Sequence, residues 1–141
     1  MFTLVENLSK RRCYTIDEDD NISLIFSLLK KYNIGCLIVT TEKNNFPTGI
    51  VSERDLVRNF DGIYLGKLTK VKDIMTKKII YCDLKTTSKD IMQIMTTNRI
   101  RHLPIVDKNK LKGIVSIGDV VGRIISKYEE ETRFLKDYIN S

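Results

Sequence analysis

The fold is decided by Gly49-Ile50-Val51-Ser52-Glu53-Arg54-Asp55, a heptad that returns as Gly113-Ile114-Val115-Ser116-Ile117-Gly118-Asp119. In each copy a glycine opens a β-branched run, which predicts a strand, and Ser-x-x-Asp then leads into an apolar segment of helical character. Serine at a helix N-cap with an acid three residues later is also an ordinary capping box. The same strand-to-helix junction is therefore predicted twice.

The two heptads belong to a repeat that covers most of the chain. At an offset of 66 residues, Val5 falls on Val71 and Leu37 falls on Leu103. After residue 41 the offset drops to 64, which places a two-residue difference in a predicted loop at Glu42–Pro47. Loops tolerate such differences, so the repeat is interpreted as a duplication of one structural unit.

Each half is predicted to run strand, helix, strand, strand, helix. A half of about 60 residues buries only about 60% of its surface and is marginal alone. We therefore expect an α/β (α+β) fold of two βαββα repeats packed with pseudo-two-fold symmetry, which creates clefts between them. The predicted segments are extended pieces at Cys13–Ile16 and Ile79–Cys82, first helices capped by Asn21 and Thr87, hairpins of Cys36–Thr40 with Gly49–Ser52 and of Leu103–Val106 with Leu111–Ser116, and closing helices from Arg54 and Asp119.

The predicted organisation is a first repeat at 5–60, a linker at 61–70, a second repeat at 71–127 and a helical tail at 128–141. The last helix is predicted from Val120 to about Ile139 and is longer than its counterpart. Its surplus apolar residues have no third repeat to pack on, so we expect this long C-terminal helix to lie against a partner subunit in a homodimer.

Composition bounds the setting of the protein. The sequence has three cysteines, Cys13, Cys36 and Cys82, and one histidine. Because the number of cysteines is odd and there are few candidate ligands, neither a disulfide framework nor a metal site is expected. Each cysteine has apolar neighbours and is interpreted as a small buried hydrophobe. No apolar run of 18 residues and no secretory leader is present. A cytoplasmic protein without a membrane segment is expected.

Charge and motifs bound the function. The net charge of +6 allows anionic partners, but it is spread along the sequence and no nucleic-acid motif occurs. No nucleophile–base–orienter set and no phosphate-cradling glycine loop is found, so we expect no enzyme activity. The basic pairs Arg11-Arg12 and Lys77-Lys78 are interpreted as solvated charge.

The chain resembles the cystathionine β-synthase (CBS) domain family, in the tandem arrangement called a Bateman module. The resemblance is carried by the two heptads, by Val71-Lys72-Asp73-Ile74-Met75-Thr76 and by Ile100-Arg101-His102-Leu103-Pro104-Ile105-Val106-Asp107, and it covers about residues 5–127. It implies a stand-alone regulatory module with two pseudo-symmetric clefts that bind adenosyl ligands: AMP, ADP, ATP, S-adenosylmethionine or a dinucleotide. No other cofactor is required, and the regulated protein partner is not identified by the sequence.

The resemblance also implies the nucleotide-binding residues. In the family, the Ser-x-x-Asp of one repeat holds the ribose, and the other repeat supplies the residues around the base and phosphates. Cleft one then consists of Ser52, Arg54, Asp55, Thr76, Ile80, Ile100, Arg101 and His102. Cleft two consists of Ser116 and Asp119 with Lys10, Tyr14, Ile34, Gly35 and Cys36. No catalytic or metal-binding residue is implied.

The two clefts differ in charge. Cleft two has Gly35 and Cys36 where cleft one has Arg101 and His102, and it has a glycine in place of Arg54. Because charge-assisted hydrogen bonds to phosphate are about twice as strong as neutral ones, cleft one is predicted to bind phosphorylated nucleotide more tightly. Cleft two is then empty or selects a less charged adenosyl group. A structural dimerisation module with vacant clefts and a weak nucleic-acid binder stay open as alternatives.

Overall fold

A computed structural model describes residues 3–140, except for the side chain of Asn44. Short helices, two small sheets and one long terminal helix alternate along this part of the chain. In order, they are α1 Leu4–Leu8, β1 Thr15–Asp17, α2 Ile22–Tyr32, β2 Cys36–Thr41, β3 Asn44–Ser52, α3 Glu53–Arg58, α4 Phe60–Tyr64, α5 Val71–Ile74, α6 Ser88–Asn98, β4 His102–Asp107, β5 Lys110–Ser116 and α7 Ile117–Asn140.

The sheets reproduce the repeat. In the first half β1 pairs in parallel with β2, and β2 pairs antiparallel with β3. In the second half β4 pairs antiparallel with β5, and Cys82 bridges Ile105 in parallel at the place that corresponds to β1. The predicted mixed fold of two βαββα repeats with a long C-terminal helix is confirmed.

The first strand of each half differs from the prediction: it begins later in the first half and is reduced to a single bridge in the second half. Pairing with β2 begins at Thr15, opposite Ile38, so the strand is Thr15–Asp17 and not Cys13–Ile16. Of the predicted piece Ile79–Cys82, only Cys82 pairs, through one isolated bridge. Ile79 and Ile80, which precede Cys82, line the cavity described below.

The predicted loop at Glu42–Pro47 was wrong, because β3 already begins at Asn44, which pairs with Thr41. The two-residue difference between the halves lies within the strand. Between the pairs Thr41–Asn44 and Val39–Gly49, β3 advances by five residues while β2 advances by two, whereas in the other hairpin β5 advances by two residues while β4 advances by one. The extra residues form a bulge that contains Pro47, which suits a residue without a backbone N–H.

Several helix bounds also differ from expectation. The closing helices begin at Glu53 and Ile117, directly after the serines, because serine is the N-cap and the aspartate is the third helical residue. Residues 61–64 of the predicted linker are helical, in α4, which begins at Phe60. The C-terminal helix runs without a break from Ile117 to Asn140, so the predicted tail continues the second repeat's last helix; residue 141 lies outside the described residues.

Each half completes its hydrophobic core with a short helix from the other half. Val5 of α1 is fully buried in the core of the second half, with Leu103 and Val115. Val71 and Ile74 of α5 are buried in the core of the first half. This exchange makes the stability of the two halves interdependent, which a repeat packed only edge to edge would not require.

The heptad glycines permit this close approach of the two halves. A Cβ atom on Gly49 would lie 2.6 Å from Met75 Sδ and 3.1 Å from the Thr76 carbonyl oxygen. At the matching place, a Cβ on Gly113 would lie 3.2 Å from the Leu8 carbonyl oxygen. The backbone of Thr76 pairs with Ile50 on both sides, through N–H···O distances of 2.8 and 3.0 Å. Glycine therefore opens each heptad because a backbone from the other half passes over it.

Replacing Gly49 by alanine is expected to lower the free energy of unfolding by about 1–3 kcal/mol, the usual cost of overpacking a filled site. The methyl group must displace Met75 and the Thr76 backbone. The matched control is Gly122→Ala in α7, where a Cβ meets nothing within 4 Å; it should stabilise the helix by about 0.5–1 kcal/mol. Urea denaturation measures both. Equal effects of the two substitutions would contradict the close approach at Gly49.

Candidate functional site

A cavity of about 700 Å³ lies between the C-terminal end of β3, the segment that follows α5 and the segment that precedes β4. This volume is within the range of small-molecule sites, about 300–1,000 Å³. The structure brings all residues predicted for cleft one to the wall of this cavity. They are Ser52, Arg54, Asp55, Thr76, Ile80, Ile100, Arg101 and His102.

Asp55 is held at the start of α3 with one carboxylate oxygen turned towards the cavity side. Its Oδ2 accepts hydrogen bonds from the backbone N–H of Ser52 at 2.8 Å and from Ser52 Oγ at 3.2 Å. Within residues 3–140 its Oδ1 accepts only from the hydroxyl of Thr76, at 3.2 Å, and Thr76 is exposed. A carboxylate oxygen has more than one acceptor direction, so Oδ1 can receive a ligand hydroxyl.

The cavity wall is strongly basic. Five of its side chains are lysine or arginine and two are acidic, Glu53 and Asp55. None of the five takes part in the ion pairs found among residues 3–140. The basic residues are Arg54, Arg58, Lys78, Arg99 and Arg101. Uncompensated positive charge around a recess attracts anions.

Sequence reasoning missed half of this wall. The lining residues that were not predicted are Ile50, Glu53, Arg58, Lys78, Ile79, Asn98, Arg99 and Pro104. Helical spacing could have indicated Arg58, since it lies one helical turn beyond Arg54 on the same face of the predicted helix. Lys78 is exposed at this wall, so its interpretation as solvated charge stays a prediction.

Arg99 is held in an unusual backbone conformation at the cavity. It caps α6 in the left-handed region, with φ of 54°. The equivalent cap of α2 is Asn33, with φ of 52°, and asparagine tolerates this region well. A non-glycine residue in a sparsely populated conformation costs about 1–3 kcal/mol. Arginine at this place is therefore unfavourable for the fold and favours a role in the cavity.

His102 lies between the two clefts. A Cβ atom on Gly35 would be 3.9 Å from His102 Nε2 and 3.8 Å from Glu53 Oε1. Burial lowers the pKa of His102, and the nearby Arg101 lowers it further, against the opposing influence of Asp119 and Glu53. The histidine is therefore a neutral hydrogen-bonding group at neutral pH, and the arginines supply the positive charge.

The residues predicted for cleft two are arranged differently. Ser116 and Asp119 lie together at the start of α7, where Asp119 Oδ2 accepts from the Ser116 N–H at 2.8 Å and from Ser116 Oγ at 2.9 Å. Arg11 forms a bidentate ion pair with Asp119, with 3.1 Å from Nη1 to Oδ1 and 3.1 Å from Nη2 to Oδ2. The interpretation of Arg11 as solvated charge was wrong, because its guanidinium fork matches this carboxylate.

The remaining cleft-two residues have different surroundings. Tyr14 stacks on Tyr32 with 3.9 Å between ring centroids, and the Arg12 guanidinium lies 5.2 Å from the Tyr14 centroid, so Arg12 is not free solvated charge either. Ile34 packs on the first core, and Gly35 adjoins Glu53 and His102. Lys10 is exposed, and Cys36 is buried in β2.

All three cysteines are free thiols. Burial raises the pKa of Cys36 and of Cys82 to about 12, and that of Cys13 to about 11. Because the thiolate is the reactive form, all three are inert near neutral pH. Cys13 is only half-buried, so the expectation of full burial is wrong for this residue.

Two further features of the described chain concern metals and membranes. Residues 3–140 contain no group of three or more His, Cys, Asp or Glu side chains placed to hold a metal ion. None of the helices in the same range combines the length and apolar character needed to cross a bilayer.

Comparisons with known proteins agree with this geometry. The family profile described as the CBS domain matches residues 5–62 and 71–126. A mitochondrial CBS domain-containing protein of Arabidopsis thaliana is 38% identical over 127 residues, which are 86% of this chain. This chain spans 61% of the length of that relative.

Two solved structures share the fold at lower identity. The crystal structure of CBSX2 in complex with AMP has a TM-score of 0.77 at 22% identity and covers 91% of this chain and 99% of its own. The CBS domain pair of protein MJ0100, solved with 5′-methylthioadenosine and S-adenosylmethionine, has a TM-score of 0.78 at 22% identity and covers 90% of this chain and 99% of its own.

Proposed function

This chain belongs to the CBS-domain family as a tandem pair, and from that premise we propose that it is a regulatory module that senses an anionic adenine nucleotide in cleft one. The observation that carries the proposal is the basic cavity of about 700 Å³ around Asp55. Within this proposal the site binds and does no chemistry, and the bound nucleotide biases how the module packs against a regulated partner.

The residues of cleft one suit the parts of a nucleotide. Asp55 Oδ1, next to the Thr76 hydroxyl, is placed to accept hydrogen bonds from a ribose diol. Ile80 and Ile100 offer apolar surface to a base, and Arg101 and Arg54 offer charge to phosphate. Arginine binds phosphate through two parallel N–H groups and keeps its charge at any physiological pH. AMP, ADP and ATP therefore fit the proposal.

The same charge disfavours a cationic adenosyl ligand. S-adenosylmethionine carries a sulfonium and an ammonium group against one carboxylate, and like charges in a partly buried recess repel. The proposal thus separates this chain from the pair in MJ0100, which was solved with S-adenosylmethionine. The ligand class proposed here is that of the CBSX2 complex, an adenosine phosphate.

A thermal-shift panel of AMP, ADP, ATP and S-adenosylmethionine tests the function. A ligand at 100 times its Kd should add about 2.7 kcal/mol to the free energy of unfolding, which raises Tm by several degrees. We expect this rise with at least one adenosine phosphate and none with S-adenosylmethionine. If none of the four shifts Tm, the nucleotide-sensing function fails and the structural module with vacant clefts becomes the better account.

We also propose that two copies associate through α7. Its exposed apolar side chains follow helical spacing, with a seven-residue gap between Tyr128 and Leu135, and form one stripe, whose exposed fractions range from 41% at Val121 to 78% at Ile139. The stripe contains Val121, Ile124, Ile125, Tyr128, Leu135 and Ile139. Large exposed apolar patches usually mark an interface, and a long helix with such a stripe packs well against a second copy.

The double variant Tyr128→Glu/Leu135→Glu is expected to abolish this association. Two carboxylates in an apolar interface must be desolvated without a partner, which is strongly unfavourable. Light scattering coupled to size exclusion should give twice the monomer mass for the unmodified chain and the monomer mass for the variant. The matched control is Ser126→Glu, which adds a charge on the opposite face of α7 and should remain dimeric. A monomeric unmodified chain would refute the association.

A further inference from the structure

We infer that the second cleft is closed by the chain's own side chains, with Arg11 in the place of a ligand, so that each chain binds one nucleotide. This inference rests on the proposed function of cleft one. It identifies Arg11 as the residue that sets the number of sites.

The first observation concerns the two aspartates. At cleft one, the Thr76 hydroxyl is the only donor to Asp55 Oδ1 in the part of the chain that the structure describes. At cleft two, both oxygens of Asp119 are engaged by the Arg11 fork at 3.1 Å, and Oδ2 also accepts from the N–H and hydroxyl of Ser116. A ribose diol needs the acceptor directions that the guanidinium already occupies.

Arg11 is anchored beyond this ion pair. Its Nη2 also donates to the carbonyl oxygen of Ile114 at 3.0 Å, so three contacts fix the guanidinium against the end of β5. The Asp119 side chain is 19% exposed, so its carboxylate is partly withdrawn from water while Arg11 covers it. A bidentate pair with a third hydrogen bond is a defined geometry and not a loose surface contact.

The second observation concerns the region that corresponds to the cavity wall. Ile80 and Asn98 line the open cavity of the first cleft. Their equivalents in the second cleft are Tyr14 and Tyr32. The two rings stack on each other at 3.9 Å and an interplanar angle of 22°, and the Arg12 guanidinium lies 5.2 and 5.9 Å from their centroids. An aromatic face that already stacks on a neighbour is not available to a base.

The third observation concerns phosphate. Four arginines of the first cavity have small or neutral equivalents in the second cleft, so a phosphate group would lack those four cations there. The equivalents are Gly118 for Arg54, Gly122 for Arg58, Asn33 for Arg99 and Gly35 for Arg101. The cation that pairs with Asp119 is Arg11, the residue that covers it. A neutral nucleoside is therefore the probe that can report whether the cleft opens.

The experiment uses adenosine as the probe and the full chain with Asp55→Ala, which removes cleft one. Isothermal titration should detect no adenosine binding to this variant. Adding Arg11→Ala and Tyr32→Asn, which copies the residue at the first cleft, should create one site per chain. Adding Asp119→Ala should then abolish it. The matched control replaces Lys77, the residue equivalent to Arg11, by alanine in the Asp55→Ala chain and should leave it without a site.

Two outcomes overturn the inference. Adenosine binding by the Asp55→Ala chain that is lost on adding Asp119→Ala means that the second cleft is already open. A folded variant with Arg11 and Tyr32 replaced that still binds no adenosine means that these side chains do not close it. Circular dichroism confirms that each variant is folded before it is titrated.

A second measurement needs no substitution. Side-chain NMR of the unmodified chain should show hindered guanidinium rotation for Arg11, with signals unchanged at saturating AMP, while Arg54 and Arg101 shift. Movement of the Arg11 signals with AMP refutes closure. If AMP moves no arginine at all, the proposed function of cleft one fails, and the adenosine titration still decides whether Arg11 closes cleft two.

Discussion

Replacing Asp55 by alanine is expected to weaken AMP binding by about 100-fold. The ribose diol offers two hydroxyl donors to this carboxylate, and hydrogen bonds to a charged group contribute about 1.5–3 kcal/mol each. A loss of about 2.8 kcal/mol corresponds to 100-fold in Kd. Titration calorimetry at constant ionic strength measures the change, because the arginines in the same cavity make the affinity depend on salt.

The control for Asp55→Ala is Asp119→Ala. Each aspartate accepts from the backbone N–H and the hydroxyl of the serine three residues earlier, so both substitutions remove the same cap. The loss of a helix cap costs about 0.5–2 kcal/mol in either case. We expect both variants to stay folded, Asp119→Ala to be the more destabilised because it also loses the Arg11 ion pair, and only Asp55→Ala to lose AMP. Loss of AMP in the Asp119 variant alone would reverse the assignment of the two clefts.

The part of the site that could be predicted is the part that local sequence determines. Ser52 and Asp55 are fixed by a strand end and a helix start, and both signals are carried by the heptad itself. The repeat then indicated which segment of the other half should face them. Cleft one could therefore be assembled as a set of residues, while their contacts with a nucleotide stay a prediction.

The closing of the second cleft could not be predicted, because it depends on where long side chains go. Arg11 and Lys77 are equivalent in the repeat and similar in charge, yet only Arg11 lies against an aspartate. Arginine reaches a carboxylate with a planar fork that lysine lacks. The stack of Tyr14 on Tyr32 likewise needs two segments brought together in space. No pattern of spacing along the chain encodes such pairings.

The exchange of short helices was also hidden from sequence reasoning. Val5 and Val71 were recognised as equivalent, but nothing in their local pattern says that each packs in the opposite half. The packing partner of each short helix is determined at Gly49 and Gly113, where a backbone segment from one half passes over a strand of the other half. The element order was predictable from periodicity, whereas the partner of each element was a matter of tertiary packing.

The helix exchange predicts the second large effect: Leu103→Ala should lower the free energy of unfolding by about 2–5 kcal/mol, as expected for a truncated core leucine, and should destabilise both halves together. Leu103 is fully buried, in a cluster that includes Val5 from the other end of the chain. Since a domain is stabilised by only about 5–15 kcal/mol in total, this is a large fraction of the stability.

The reason for a shared effect is that neither core is complete without the other half. When the second core opens, α1 loses its site, and the segment that carries α5 no longer holds Val71 in the first core. Urea denaturation followed by hydrogen exchange should therefore give one transition for amides of β2 and of β4, in Leu103→Ala and in its equivalent Leu37→Ala. Val57→Ala, a 76% exposed position, is the control and should change stability by less than about 0.5 kcal/mol. Separate transitions for the two sheets would mean that the halves fold independently and that the exchanged helices contribute little to either core.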